Sequence, residues 1–308
     1  MVWIKERNGT DNHRLVDSVR GASRELYSSL TNAEAIDSNG VLSFDSDGFS
    51  LGNSNSYNES GINHVAWCWR AGAGTTSTNT NGSITSVVSV NQDAGFSIVS
   101  YTGTGANATV GHGLNKKPKM VIVKRRDAVT NWPIWFEGVS TNTDQVLQLN
   151  LTNASASAST FFNSSNTTTT TFPLGTGGGQ TNASGSPHIA YCWAEIEGFS
   201  KFGSYVGNGN ADGPFVYCGF KPALILLKKS STTGNWNLFD SSRNSTNPVS
   251  SSLFANLTDI ENTTSSYNAD FLSNGFKVRT SDGSWNDNGV TYIFAAWAES
   301  PINYSNSK

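Results

Sequence analysis

The sequence predicts an all-β protein of three tandem β-sandwich or jelly-roll-like repeats, the first lacking its opening strand. Three observations carry this. An aromatic strand recurs as His64-Val65-Ala66-Trp67-Cys68-Trp69, His188-Ile189-Ala190-Tyr191-Cys192-Trp193 and Tyr292-Ile293-Phe294-Ala295-Ala296-Trp297. A second apolar strand, ending in lysine, recurs as Val2-Trp3-Ile4-Lys5, Val121-Ile122-Val123-Lys124 and Ile225-Leu226-Leu227-Lys228. Between these landmarks, alternating β-branched and aromatic runs are separated by Gly, Asn and Ser clusters, the pattern of short strands joined by tight turns.

The elements follow in order. Repeat 1 covers residues 1–70 and begins in its lysine strand. Asp17-Ser18 with Arg20 returns as Asp240-Ser241 with Arg243, and Phe136-Glu137 takes that slot in repeat 2. Arg24–Ala35 alone could pass for a helix. Its counterpart Val146-Leu147-Gln148-Leu149-Asn150-Leu151 alternates with period two, so all three copies read as strands. Phe44-Asp45-Ser46-Asp47-Gly48-Phe49 matches Phe271-Leu272-Ser273-Asn274-Gly275-Phe276, a hairpin with glycine in its turn. Residues 71–94 are rich in Gly, Thr, Ser and Asn and read as a linker. Repeat 2 (95–197) and repeat 3 (198–300) open alike, with Tyr101-Thr102-Gly103-Thr104-Gly105 against Tyr205-Val206-Gly207-Asn208-Gly209. Strands are expected at Phe96–Tyr101, Lys119–Lys124 and Trp132–Phe136. Residues 301–308 are a tail. Both faces of the tryptophan-ended strand are apolar, so it is expected in the centre of its sheet, buried on two sides.

Composition narrows the function. The chain has 308 residues and a net charge of −3, and charged residues make up 14% of it, against about 25% in an average soluble domain. Nothing here would neutralise a run of phosphates, so nucleic acid is not expected as a partner. No stretch approaches the ~18 apolar residues of a membrane-spanning helix. Three cysteines exclude a disulfide scaffold, and Cys68 and Cys192, being equivalent positions, read as small core residues. No basic and apolar leader precedes Lys5, so the expectation is synthesis in a host cytoplasm without a signal peptide.

Chemistry is sparse. Four histidines are present, and His64 and His188 share a strand-end position that Tyr292 fills in repeat 3. No zinc, nucleophile-elbow or phosphate-loop pattern occurs. The Asp45–Gly48 turn loses its carboxylates in its copy, so no metal and no cofactor is assigned. Glu195 and Glu197 are the nearest approach to a paired-acid site, and no catalytic residue is assigned. Trp132, Trp135 and Trp236 lie beside polar turns and are the candidate sugar-stacking residues, with hairpin-end core plugs as the competing reading. Trp69, Trp193 and Trp297 are assigned to the repeat cores. Asp17 with Arg20, and Asp240 with Arg243, read as a repeated ion pair that pins a loop.

The set Val2-Trp3-Ile4-Lys5, Asp17-Ser18-Val19-Arg20-Gly21, Ser43–Phe49, Val65–Trp69 and Gly203–Val216 resembles repeat-containing virion proteins of marine tailed bacteriophages, found in tail-fibre or adhesin-like chains. The resemblance spans nearly the whole sequence. It implies a non-enzymatic virion protein, on a tail fibre, appendage or capsid decoration, with host-surface glycan attachment as a further role. The expected partners are copies of itself (a trimer among the symmetric forms), other virion proteins and host surface polysaccharide, with no membrane insertion. A glycan-acting enzyme or soluble lectin on the same scaffold is the alternative. Repeat 1 should leave a strand slot next to Val2–Glu6, to be filled by Ser83–Val90, by the tail after Pro301, or by a neighbouring subunit.

Overall fold

The computed structural model describes residues 1–298 and is all-β, with several separate antiparallel sheets and only single-turn helices. The chain forms two compact units. The first holds Met1–Leu151, Ala156–Ala194 and the short segment Asn256–Ile260. The second holds Thr152–Ser155, Glu195–Ala255 and the described residues from Glu261 onward. Repeats 1 and 2 thus share one body. The tail assigned to residues 301–308 lies outside the described residues.

Each repeat is organised around one strand pair. The lysine strands Val2–Glu6, Pro118–Arg125 and Pro222–Lys229 run antiparallel to the tryptophan strands His64–Cys68, Pro187–Ala194 and Thr291–Ala298. The register is conserved between copies: Val2 faces Cys68, Val121 faces Cys192 and Ile225 faces Ala296. On the far side of the lysine strand come Arg14–Asp17, Pro133–Phe136 and Trp236–Asp240, each followed by at least one further strand. A smaller second sheet lies in each repeat: Val41–Phe44 with Phe49–Leu51, Ala108–Gly111 with Thr171–Leu174, and Phe215–Tyr217 with Gly275–Val278 and Ala269–Leu272. Apolar side chains of both sheets form one core per repeat.

The opening strands Phe96–Thr102 and Ser200–Val206 pair with the free side of their tryptophan strands. This makes Pro187–Ala194 and Thr291–Ala298 internal, and every residue from His188 to Ala194 is buried. The same segments then cross to the second sheet as Ala108–Gly111 and Phe215–Tyr217.

Repeat 1 departs from three expectations. Its tryptophan strand His64–Cys68 is a sheet edge, with Ala66 and Cys68 exposed. The expected central position fails because no strand among the described residues covers it. Val2–Glu6 is wholly buried and paired on both sides, by Arg14–Asp17 and His64–Cys68. The vacant slot therefore lies beside His64–Cys68, one strand further out than the sequence suggests. Residues 71–94 are not a plain linker: Ser77–Asn79 and Ser86–Asn91 are strands, and Ser86–Asn91 extends the sheet of repeat 2 by pairing with Phe96–Thr102. Ser83–Val90 is thus committed to repeat 2 and does not fill the slot. Within 24–35, the strand is Gly21–Tyr27 and a loop follows it to Ala35–Ile36.

The turn after each opening strand requires glycine for a steric reason. A Cβ on Gly207 would lie 2.2 Å from the Asp287 carbonyl oxygen, and one on Gly103 would lie 2.3 Å from that of Ala183. Gly207→Ala should therefore push two backbone segments apart and destabilise its repeat by about 1–3 kcal/mol. Thermal unfolding of the variant checks this, and an unchanged Tm would contradict the close approach.

Candidate functional site

The candidate sugar-stacking residues are core plugs. Trp132 and Trp135 are 0% exposed and Trp236 is 1% exposed, so no ring face is open to a ligand. Trp132 Nε1 donates to the carbonyl oxygens of Tyr27 (3.0 Å) and Leu30 (3.1 Å), holding a repeat 1 loop against repeat 2. Trp135 Nε1 donates to Ser165 O at 3.2 Å within the repeat 2 core. This burial corrects the reading of the three as exposed platforms. Trp69, Trp193 and Trp297 are buried but belong to none of the three apolar clusters that fill the repeats, which corrects their assignment to the repeat cores. They lie on the opposite face of their strands, where Trp69 meets Trp193 edge-on at 5.9 Å between ring centroids.

The charged residues singled out by the repeats hold loops. Arg20 pairs with Asp17 through its backbone N–H and its Nε, donates from Nη2 to Leu15 O at 2.8 Å, and reaches Glu34 at 3.2 Å. Arg243 does the same with Asp240, Leu238 O (2.8 Å) and Glu261 (2.9 Å). In the first unit the arrangement also ties repeats 1 and 2. Tyr191 Oη donates to Asp17 Oδ2 at 2.7 Å, and Arg126 grips Glu34 through Nε and Nη2 at 2.8 and 2.9 Å. Burial pushes the Asp17 carboxyl up, but the Arg20 charge and the hydrogen bonds from Arg20 and Tyr191 override it and hold the group below its ordinary value. The Glu34 carboxyl, also resisted by burial, is held low by Arg126, Arg20 and Arg24.

A signal that sequence reasoning missed is the recurring lysine itself. Lys124 is 0% exposed, and its Nζ donates to Thr31 O (2.9 Å), Thr130 O (2.6 Å) and Thr130 Oγ1 (3.1 Å). Thr130 N–H donates to the same Thr31 carbonyl at 2.8 Å. In the second unit the pattern repeats: Lys228 Nζ and Gly234 N–H both donate to Thr152 O, at 3.1 and 2.8 Å. Thr31 and Thr152 follow equivalent leucines, so each lysine clamps the Leu-Thr loop of the repeat before it. Lys5 is buried in the same place and donates to Glu6 O and Gly9 O at 2.8 and 2.9 Å. Burial pulls the Lys124 and Lys228 ammonium groups down to about 7, with the neighbouring Arg125 and Lys229 acting in the same sense. Burial lowers Lys5 to about 8, against the attraction of Glu6, Asp11 and Asp259.

The feature of repeat 1 that is not consumed in folding is a groove between two open strand edges. One edge is His64–Cys68 in the larger sheet, and the other is Phe49–Leu51 in the smaller. At one end lies a cavity of about 560 Å³ lined by Met1, Val2, Phe44, Phe49, Cys68 and Trp69, among others. Ala66 and Cys68 are exposed, whereas their counterparts Ala190, Cys192, Phe294 and Ala296 are 0–2% exposed. Phe49 and Leu51 are half-buried, whereas Phe172, Leu174, Phe276 and Val278 are 0% exposed. Cys68 thus corrects the expectation of a buried core cysteine, and partial desolvation by the groove walls still raises its thiol above the ordinary value.

Among the described residues, no group of three or more His, Cys, Asp or Glu could hold a metal ion. Asp45 instead accepts the hydroxyls of Ser43 and Ser50, both at 2.8 Å, across its hairpin. Glu195 holds Lys201 at 2.7 Å.

The fold and the site define an all-β repeat protein with internal polar ties and, among the described residues, one unfilled strand groove. The chain belongs to the family described as a domain of unknown function, DUF7483, whose model matches residues 1–301. No curated protein and no solved structure matches it.

The lysine clamp makes a testable claim. Lys124→Met leaves the Thr31 and Thr130 carbonyls without their buried donor, which should cost about 1–3 kcal/mol at pH 7. The folded state holds this proton less tightly than the unfolded chain, whose lysine keeps its ordinary value of 10.5. From about pH 7 upward the unfolded state therefore binds more protons, and stability should rise with pH. Urea unfolding from pH 7 to 9 should show that rise in the parent protein and a smaller rise in Lys124→Met. A fall with pH in the parent would contradict the assignment.

Proposed function

We propose that the chain is a non-enzymatic structural protein of a bacteriophage particle, carried on the outside as part of a tail fibre or appendage or as a capsid decoration. The observation that carries this reading is the use of the scarce charge. Asp17, Arg20, Glu34, Lys124, Arg126 and Lys228 are all engaged in ties that fix one loop or repeat upon another. A molecule whose titratable groups serve its own frame is suited to bearing load and presenting a surface. Charged residues are only 14% of the chain, so salt has comparatively few charges to screen and such a frame tolerates changes in ionic strength. The sequence resemblance to phage virion repeats points the same way. Burial of Trp132, Trp135 and Trp236 removes the aromatic groups that would favour a lectin or a glycan-acting enzyme.

Purified particles from a lysate in which this protein is made provide the test. Peptides of the chain should co-purify with particles in fixed stoichiometry by quantitative mass spectrometry, and antibody labelling should decorate the particle exterior. Absence from particles, or release of sugar when the protein is incubated with a glycan library, would overturn the proposal.

A further inference from the structure

The groove of repeat 1 has two filled counterparts in the same chain, and these specify its occupant. In repeat 2, Tyr101 stacks on His188 with ring centroids 5.1 Å apart and its hydroxyl donates to Thr181 O at 2.6 Å. In repeat 3, Tyr205 stacks on Tyr292 at 5.1 Å and donates to Trp285 O at 2.8 Å. The corresponding positions in repeat 1 are the His64 ring and the Tyr57 carbonyl. The Gly-x-Gly turn that follows is held by an asparagine six residues before the stacked ring. Asn182 Oδ1 accepts Thr104 N–H at 2.7 Å, and Asn286 Oδ1 accepts Asn208 N–H at 2.8 Å. The same asparagines donate from Nδ2 to Gly175 O (2.8 Å) and Thr280 O (2.9 Å).

Repeat 1 has this receiving half in place. Asn58 stands six residues before His64, is exposed, and donates from Nδ2 to Gly52 O at 3.0 Å, as its counterparts do. Gly61 has φ +81°, matching Gly185 at +71° and Gly289 at +76°. The two counterpart glycines donate their N–H to the first glycine of the Gly-x-Gly turn, Gly103 O and Gly207 O, each at 2.9 Å.

We propose that this groove binds an extended polypeptide segment carrying the pattern Tyr-x-Gly-x-Gly, supplied from outside the described residues. The segment adds one strand to His64–Cys68 and a second to Phe49–Leu51. Main-chain hydrogen bonds along both edges supply affinity, and the tyrosine stacked on His64 and the glycine turn at Asn58 set the register. The opening segments that this chain is seen to carry are already in use. Among the described residues there are three receiving grooves and two opening segments, Phe96–Gly111 and Ser200–Tyr217, both already seated. Exchange of these segments between copies leaves every chain one donor short.

The full chain and a synthetic peptide of residues 95–111 test this. The peptide should bind with one site per chain. It should slow reaction of the exposed Cys68 thiol with a thiol reagent by about tenfold or more at saturation, while the buried Cys192 and Cys218 stay silent throughout. A peptide with Tyr101→Ala and Gly103→Val should bind at least about tenfold more weakly, a loss of about 1.4 kcal/mol or more. No saturable binding, equal binding by the altered peptide, or unprotected Cys68 would overturn the proposal. Self-association of the chain that the peptide dissolves would assign the groove to a second copy and overturn it as well.

Discussion

Lys124 has all three of its ammonium protons directed at oxygen atoms of two loops, one of them from the preceding repeat. Much of the first unit depends on this arrangement. A buried ammonium is costly unless it is fully hydrogen-bonded, so the Thr31 and Thr130 carbonyls must sit where it can reach them. Their position in turn sets the Tyr27–Leu30 carbonyls that receive Trp132 Nε1 and the placement of Glu34 against Arg126. Lys228 imposes the same condition on Thr152 and Gly234 in the second unit. A strand that reads as plain hydrophobic core with a terminal lysine is therefore the element that orders the loops around it.

The ties also explain how a chain so poor in charge keeps a defined architecture. Hydrophobic burial is non-directional, and sandwiches with Ser, Thr and Asn surfaces could pack on one another in many ways. A few buried ion pairs and clamps are satisfied in one arrangement only, because breaking a buried pair costs about 3–5 kcal/mol. Recurrence of the Asp–Arg–Glu set in repeats 1 and 3 fits this role. In repeat 2 that slot is different: Glu137 instead receives Lys117 and Lys119.

Much of the fold was legible because internal repetition supplies three readings of one pattern. The ambiguous stretch after Gly21 reads as strand through its alternating counterpart at Val146–Leu151, and this holds only for the first part of each, since the strands end at Tyr27 and Gln148; the strand cores follow from the landmarks. What was not legible depends on contacts far apart in sequence. Trp132 sits among polar turn residues and looks exposed, yet the groups that cover it are Tyr27 and Leu30, about a hundred residues away. Strand counting points to an open slot in repeat 1 but carries no spatial order of the sheet, and among the described residues the open edge is His64–Cys68, not Val2–Glu6. Residues 71–94 looked like a linker because their turn residues outnumber the short alternating run Ser86–Asn91 that enters the sheet of repeat 2.

The central claim is that a handful of polar ties between repeats fixes the architecture of the first unit. A double-mutant cycle on Glu34→Gln and Arg126→Met, read by urea unfolding, tests it most directly. These residues are 92 positions apart and meet through two hydrogen bonds. The account predicts a coupling energy of about 0.5–3 kcal/mol between them. Additive effects of the two substitutions would contradict it.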